Sequence, residues 1–137
     1  MTLRTPLRGA RGLGSAGHGS SHWKVQHLTS VLLIPLMVWV MASLAMLDGP
    51  VSHVTLVFWA GKPLNAIVLI TLLIVGGLHG ALGMQVIIED YVTGKTRAVL
   101  VGLVKILAFV IVVAGIFAII RLGVFVLLIQ VIGGGGA

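Results

Sequence analysis

The residues best equipped for chemistry lie in one stretch, LHGALGMQVIIEDYV, from Leu78 to Val92. His79 interrupts an apolar run there, and Glu89, Asp90 and Tyr91 close it. An imidazole can ligate a metal through a ring nitrogen, relay a proton, or hydrogen-bond to a neighbouring segment. A phenol beside carboxylates can donate a hydrogen bond to a carbonyl oxygen and offer a route for protons at a wet boundary. On a helix advancing about 100° per residue, Asn65, Leu72, Gly76, Gly83 and Asp90 all fall within about 60° of His79, so the chemistry and a glycine-rich strip share one face.

The elements that carry these residues follow from composition. Of 137 residues, 58% are apolar and 9% charged, too little polar surface for a soluble domain of this size, so most of the chain must face lipid or other buried helices. The net charge of +6 does not indicate nucleic acid, because the basic residues are scattered between apolar runs and concentrated only near the N-terminus. The absence of cysteine excludes thiolate-held iron–sulfur or zinc sites within the chain.

Residues 1–20 carry Arg4, Arg8 and Arg11 among glycine, serine and alanine, and read as a flexible basic tail. They lack the hydrophobic stretch of a secretory signal, although a mitochondrial presequence has a similar composition. The remaining residues, 21–137, form one membrane domain with three predicted helices, about 25–47, 64–91 and 98–122, and an apolar C-terminal tail. Their apolar runs hold at least 20 residues each, enough to cross a hydrocarbon core about 30 Å thick. Pro35 is expected to kink the first helix, and Arg121 to sit at the far interface. Lys24, the tail arginines, Lys95 and Arg97 place the N-terminus and the second loop on the cytoplasmic side, with Glu89, Asp90 and Tyr91.

His79 lies about 13 Å below that interface, nine residues before the apolar run ends. An ionisable group at that depth points to function, with a bonded packing histidine as the alternative. Gly76 and Gly80 have the G-x-x-x-G spacing of closely packed helices, yet the same clearance admits a flat macrocycle. The glycines alone do not decide; a histidine set among them favours haem. A haem that only carries electrons takes two axial ligands. The other histidines lie in the tail, at the entrance of the first helix or in the first loop, so a partner subunit must supply the second. Tyr91 and its carboxylates read either as an interfacial belt or as the contact of a quinone headgroup, which sits at the same depth.

These residues resemble a known family. A histidine, a glycine four residues on, and Asp-Tyr eleven and twelve residues on, closing the second of three helices, are similar to the hydrophobic membrane anchor subunit (D chain) of alphaproteobacterial and mitochondrial-type succinate dehydrogenases. The entry to the first helix resembles that family too: His22-Trp23, Gln26 and Thr29 match a pattern of the kind Gly-His-Trp-x-x-Gln-Arg-x-Thr, and the likeness spans about residues 17–120. Where the pattern carries arginine this chain has His27, which is not a permanent cation, so the arginine's role is not carried over.

The resemblance implies an all-α membrane protein whose three transmembrane helices form part of a haem-binding bundle shared with a partner, in a four-subunit complex. A flavoprotein with FAD would oxidise succinate, and an iron–sulfur subunit would pass electrons to ubiquinone. Two membrane chains would hold haem b and complete the quinone pocket, linking the tricarboxylic acid cycle to the respiratory chain. This chain would be a non-catalytic anchor. By position, His79 looks like the ligand of the haem iron and Tyr91 like the ubiquinone-binding tyrosine, with Asp90 beside it. The expected location is the bacterial inner membrane, the mitochondrial inner membrane being the alternative. A fumarate reductase anchor is a rival reading, as is an assembly subunit without pigment. A proton-relaying transporter subunit would need further polar residues at the depth of His79, where the third span offers only Lys105 before Arg121 and the first has Ser43 near its far end.

Overall fold

The computed structural model describes residues 19–47 and 49–134, so nearly all of the basic tail lies outside the described residues. Four helices follow one another: α1 (Gly19–Ala45), α2 (His53–Gly61), α3 (Pro63–Tyr91) and α4 (Lys95–Gly134). α1, α3 and α4 are long and apolar enough to cross a membrane. Lipid offers no partner for a bare amide or carbonyl, so the backbone of a spanning segment closes its own hydrogen bonds as helix.

The helix ends follow local chemistry. α1 continues through Pro35 and finishes in a tightened turn, Leu47 N–H donating to Leu44 O at 3.2 Å. Gly49 then adopts φ 85°, a left-handed conformation that glycine enters without steric cost, ahead of Pro50. α3 opens with Pro63 in its first turn, where a missing N–H removes no helical bond. The turn from α3 to α4 uses Gly94 at φ 77°.

Two predicted boundaries are corrected. The first loop contains α2, which the composition of 48–63 did not suggest. Nine residues cannot span a bilayer, but Ser52 caps the first turn by accepting from Thr55 N–H at 3.1 Å, and the helix lays its length against α4. The third span does not stop near residue 122: α4 runs on to Gly134, 40 residues or about 60 Å, absorbing the apolar tail. Arg121 falls about 39 Å along α4 from Lys95, more than one hydrocarbon thickness, and is exposed.

α3 is the central helix. α1 packs on one side of it and α4 on another, and α1 and α4 do not pack on each other. The α3–α4 seam is antiparallel and built from glycine hollows filled by branched side chains. Val112 occupies the space where Gly77 would carry a Cβ, and Leu73 Cδ1 comes within 2.6 Å of the corresponding point on Gly115. Helices approach this closely only where one has no side chain. Gly77→Leu is therefore expected to separate α3 from α4, destabilising the fold by at least the ~1–3 kcal/mol of ordinary overpacking. Thermal unfolding of the detergent-purified complex checks this, and an unchanged midpoint would contradict the seam.

Among the described residues few apolar side chains are buried by the chain itself: Trp59, Ile88, Ile119 and Val126. Large residues such as Ile34, Phe109 and Phe117 face outward along the spans. That pattern suits helices whose surroundings are lipid and other helices. At the end of the bundle remote from Tyr91, the buried Asn65 gathers three helices. Its Nδ2 donates to Trp59 O in α2 at 2.9 Å, and its Oδ1 accepts from Trp39 Nε1 in α1 at 3.3 Å. A buried amide is tolerated there because both its ends are bonded. Asn65 shares the helical face of His79, as its spacing predicts, but serves this junction.

Candidate functional site

The face of α3 that carries His79 is the face turned to α1. Gly83 looks toward Gln26, His79 meets Thr29, and Gly76 looks toward Leu33. Each step of three or four residues back along α3 is matched by three or four forward along α1, the register of an antiparallel pair. A Cβ on Gly83 would lie 3.6 Å from Gln26 Nε2, and one on Gly76 3.8 Å from Leu33 Cδ2, both ordinary contact distances. These two glycines therefore serve the approach of α1. Gly80 differs: a Cβ there would meet nothing within 4 Å, so its clearance is unused by the chain itself.

His79 is half-buried near the middle of α3, twelve residues or about 18 Å from Tyr91 along the axis. Among the described residues its imidazole bonds through Nδ1, 3.0 Å from Thr29 Oγ1. Nε2 has no hydrogen-bond partner among the described residues. Thr29 is buried, at 5% exposure, and its hydroxyl also lies 2.9 Å from both Val25 O and Gln26 O. Sequence reasoning matched Thr29 only to a pattern and did not connect it to His79, fifty positions away; the connection depends on the register between α1 and α3.

Toward the Tyr91 end, α3 and the start of α4 bring further polar groups together. Gln85 Nε2 donates to Glu89 Oε1 at 2.8 Å, and the same carboxylate oxygen lies 3.4 Å from a guanidinium nitrogen of Arg97 at the start of α4. This ion pair is partly exposed, and such pairs contribute roughly 0–1 kcal/mol. Gln26 Oε1 and Gln85 Oε1 are buried without a donor, two acceptors that the spacing of charged residues did not reveal. His27, where the pattern has arginine, stacks on Trp23 with ring centroids 5.4 Å apart and planes 6° from parallel.

Asp90 and Tyr91 are not drawn together. Both are exposed, Tyr91 at 84%, and no hydrogen bond joins them among the described residues. The carboxylate held in place at this helix end is that of Glu89. Tyr91 thus presents its phenol away from the other described residues. A groove of about 520 Å³ lies elsewhere, between α3 and α4 beside Val25 of α1, with Leu78, Leu82, Lys105 and Phe109 among its lining residues. It includes none of His79, Asp90 or Tyr91. Among the described residues no three histidine, aspartate or glutamate side chains converge as a metal site.

Comparisons with known proteins identify the family of the chain. The family described as succinate dehydrogenase/fumarate reductase transmembrane subunit matches residues 1–117. A protein of Rickettsia bellii named succinate dehydrogenase hydrophobic membrane anchor subunit is 35% identical over 119 residues, covering 85% of this chain and 94% of the relative. One of the same name from Paracoccus denitrificans is 31% identical over 123 residues, 90% of this chain and 95% of its own length. A succinate dehydrogenase membrane anchor subunit from Reclinomonas americana is 33% identical over 95 residues, 66% of this chain and 78% of its own. No solved structure shows a significant match. With three helices long and apolar enough to cross a membrane and these relatives along most of its length, the chain belongs to the succinate dehydrogenase/fumarate reductase transmembrane subunit family.

Proposed function

We propose that the chain is the hydrophobic membrane anchor of a succinate:ubiquinone oxidoreductase, in which His79 supplies one axial ligand of haem b and Tyr91, with Asp90 beside it, faces ubiquinone. The observation that carries this reading is the state of His79. Among the described residues only Nδ1 is engaged, so Nε2 remains available at mid-span, where an unpaired imidazole nitrogen would otherwise be costly. Gly80, adjacent in sequence and open to its surroundings, gives a planar ring room to approach.

When bound, haem supplies a site that takes up and releases one electron. The chain's own residues do the holding. Backbone hydrogen bonds of α3 fix the position of His79, and the contact with Thr29 fixes the orientation of its ring. The phenol of Tyr91 donates a hydrogen bond to a carbonyl oxygen of ubiquinone, and Asp90 handles protons at the wet end of the helix. The chain performs no chemistry on succinate; that belongs to a flavoprotein with FAD, joined through an iron–sulfur subunit. A second membrane subunit contributes the other haem ligand. The antiparallel spans put the start of α1, Tyr91 and the start of α4 at one end of the bundle, and the basic residues there support a cytoplasmic side for that end, in a bacterial inner membrane.

Succinate oxidation is preferred to fumarate reduction because the relatives reported above all carry the succinate dehydrogenase name. A complex purified through an affinity tag on this chain should retain flavin and iron–sulfur chromophores and reduce added ubiquinone with succinate. A preparation without flavin would contradict the reading, and one that runs faster from quinol to fumarate would identify the fumarate reductase alternative.

A further inference from the structure

The three contacts of Thr29 Oγ1 determine more than the place of His79. A hydroxyl has one proton and two lone pairs. Val25 O and Gln26 O, each 2.9 Å away, can only accept, so the hydroxyl proton is directed to them. The 3.0 Å contact with His79 is then a hydrogen bond only if Nδ1 carries the hydrogen and donates. In the opposite assignment Thr29 would donate to Nδ1, leaving two oxygen–oxygen contacts of 2.9 Å with no proton between them and lone pairs opposed. The first arrangement satisfies the contacts without that conflict.

We propose that Thr29 is a positioning residue that holds His79 as the Nδ1–H tautomer, so that Nε2 offers its lone pair to the haem iron. This inference rests on the haem reading above. The position also suits it physically. A β-branched side chain whose hydroxyl is bonded back to its own helix has little rotational freedom. Gly83 and Gly76, one turn to either side of His79, let α1 come near enough for so short a side chain to reach the ring. Histidine ligands generally give their second N–H to an acceptor that sets ring orientation and raises the basicity of the ligating nitrogen. In this chain the acceptor is a hydroxyl on the neighbouring transmembrane helix. A more basic Nε2 favours ferric over ferrous iron, so the Thr29 contact lowers the haem potential.

The test compares purified complexes carrying wild-type chain, Thr29→Ser, Thr29→Val, Thr29→Ala and His79→Ala. Its readouts are haem content per flavin, the midpoint potential of the haem and the g values of its oxidised low-spin signal. Thr29→Ser keeps the hydroxyl and should stay at the wild-type potential and g values. Thr29→Val, nearly isosteric, should bind haem more weakly and shift the midpoint to more positive values. A tenfold change in the preference for ferric over ferrous iron would appear as ~59 mV for one electron. If Thr29→Val does not assemble, Thr29→Ala removes the hydroxyl without adding an apolar branch and should shift in the same direction. A hydroxyl-free variant with the wild-type midpoint and g values overturns the inference, as does a Thr29→Ser variant that shifts as far as the hydroxyl-free ones. The haem reading fails separately: a wild-type complex without haem, or an unchanged haem signal in His79→Ala, defeats it whatever the Thr29 variants do.

Discussion

In a complex carrying His79→Ala, the low-spin b-type haem spectrum is expected to disappear. The haem is either lost, or retained with one axial position open and converted to a form that binds carbon monoxide. The substitution is selective for the ligand. Alanine is the best helix former, so α3 continues undisturbed. Thr29 keeps Val25 O and Gln26 O as acceptors, so removing the ring leaves no buried hydroxyl proton unpaired. The cavity formed lies on a half-buried face and costs less than the ~2–5 kcal/mol typical of deep core truncations. The complex should therefore assemble with its flavin intact, and haem content should separate from assembly. An unchanged low-spin spectrum would make His79 a packing residue, bonded to Thr29 for structure alone.

The second large effect is expected at Tyr91. Because its ring is almost wholly exposed and its hydroxyl makes no hydrogen bond within the described residues, Tyr91→Phe removes nothing that the fold of this chain uses. Assembly, haem content and succinate oxidation by a dye coupled upstream of the quinone should persist. Ubiquinone reduction should fall. Losing a hydrogen bond worth about 1 to 3 kcal/mol corresponds to roughly a 5- to 150-fold change in rate or affinity. Steady-state kinetics with ubiquinone measure it directly. Wild-type kinetics in the variant would return Tyr91 to the interfacial belt and assign the quinone to residues of the other subunits. Glu89→Gln makes a useful companion, because it weakens the tie to Arg97 without touching the phenol.

The spans were legible because their signal is thermodynamic and local: an uninterrupted apolar run of about 20 residues has few stable places outside a bilayer. Their limits were less so. Arg121 suggested an interface and hence a helix end. The apolar residues after it extend the helix regardless, because backbone bonding within α4 does not depend on where the bilayer stops. α2 escaped notice because nine residues between prolines carry no span signal; its cap at Ser52 is a short-range feature, and its packing on α4 is a tertiary one.

The site divides in the same way. His79 stood out by depth, and its shared face with Gly76 and Gly83 followed from helical geometry. What that face meets did not follow. The same small residues serve a porphyrin or a neighbouring helix, and only the register of α1 shows that Gly76 and Gly83 look toward side chains while Gly80 does not. Thr29 was hidden for a related reason. A threonine near a helix entrance is unremarkable until a second helix places an imidazole 3.0 Å from its hydroxyl. At the other end, Asp90 was the carboxylate favoured by position, yet Glu89 is the one engaged by Gln85 and Arg97.

The central claim is that this chain gives haem an axial histidine at mid-membrane while a partner subunit gives the other. The most direct measurement is the absorption spectrum of the purified wild-type complex, oxidised and then reduced with dithionite, before and after carbon monoxide. The account predicts a reduced low-spin b-type spectrum that carbon monoxide leaves unchanged, because both axial positions are filled. A complex with flavin and iron–sulfur chromophores but no haem absorption, or with a haem that takes up carbon monoxide readily, would contradict it.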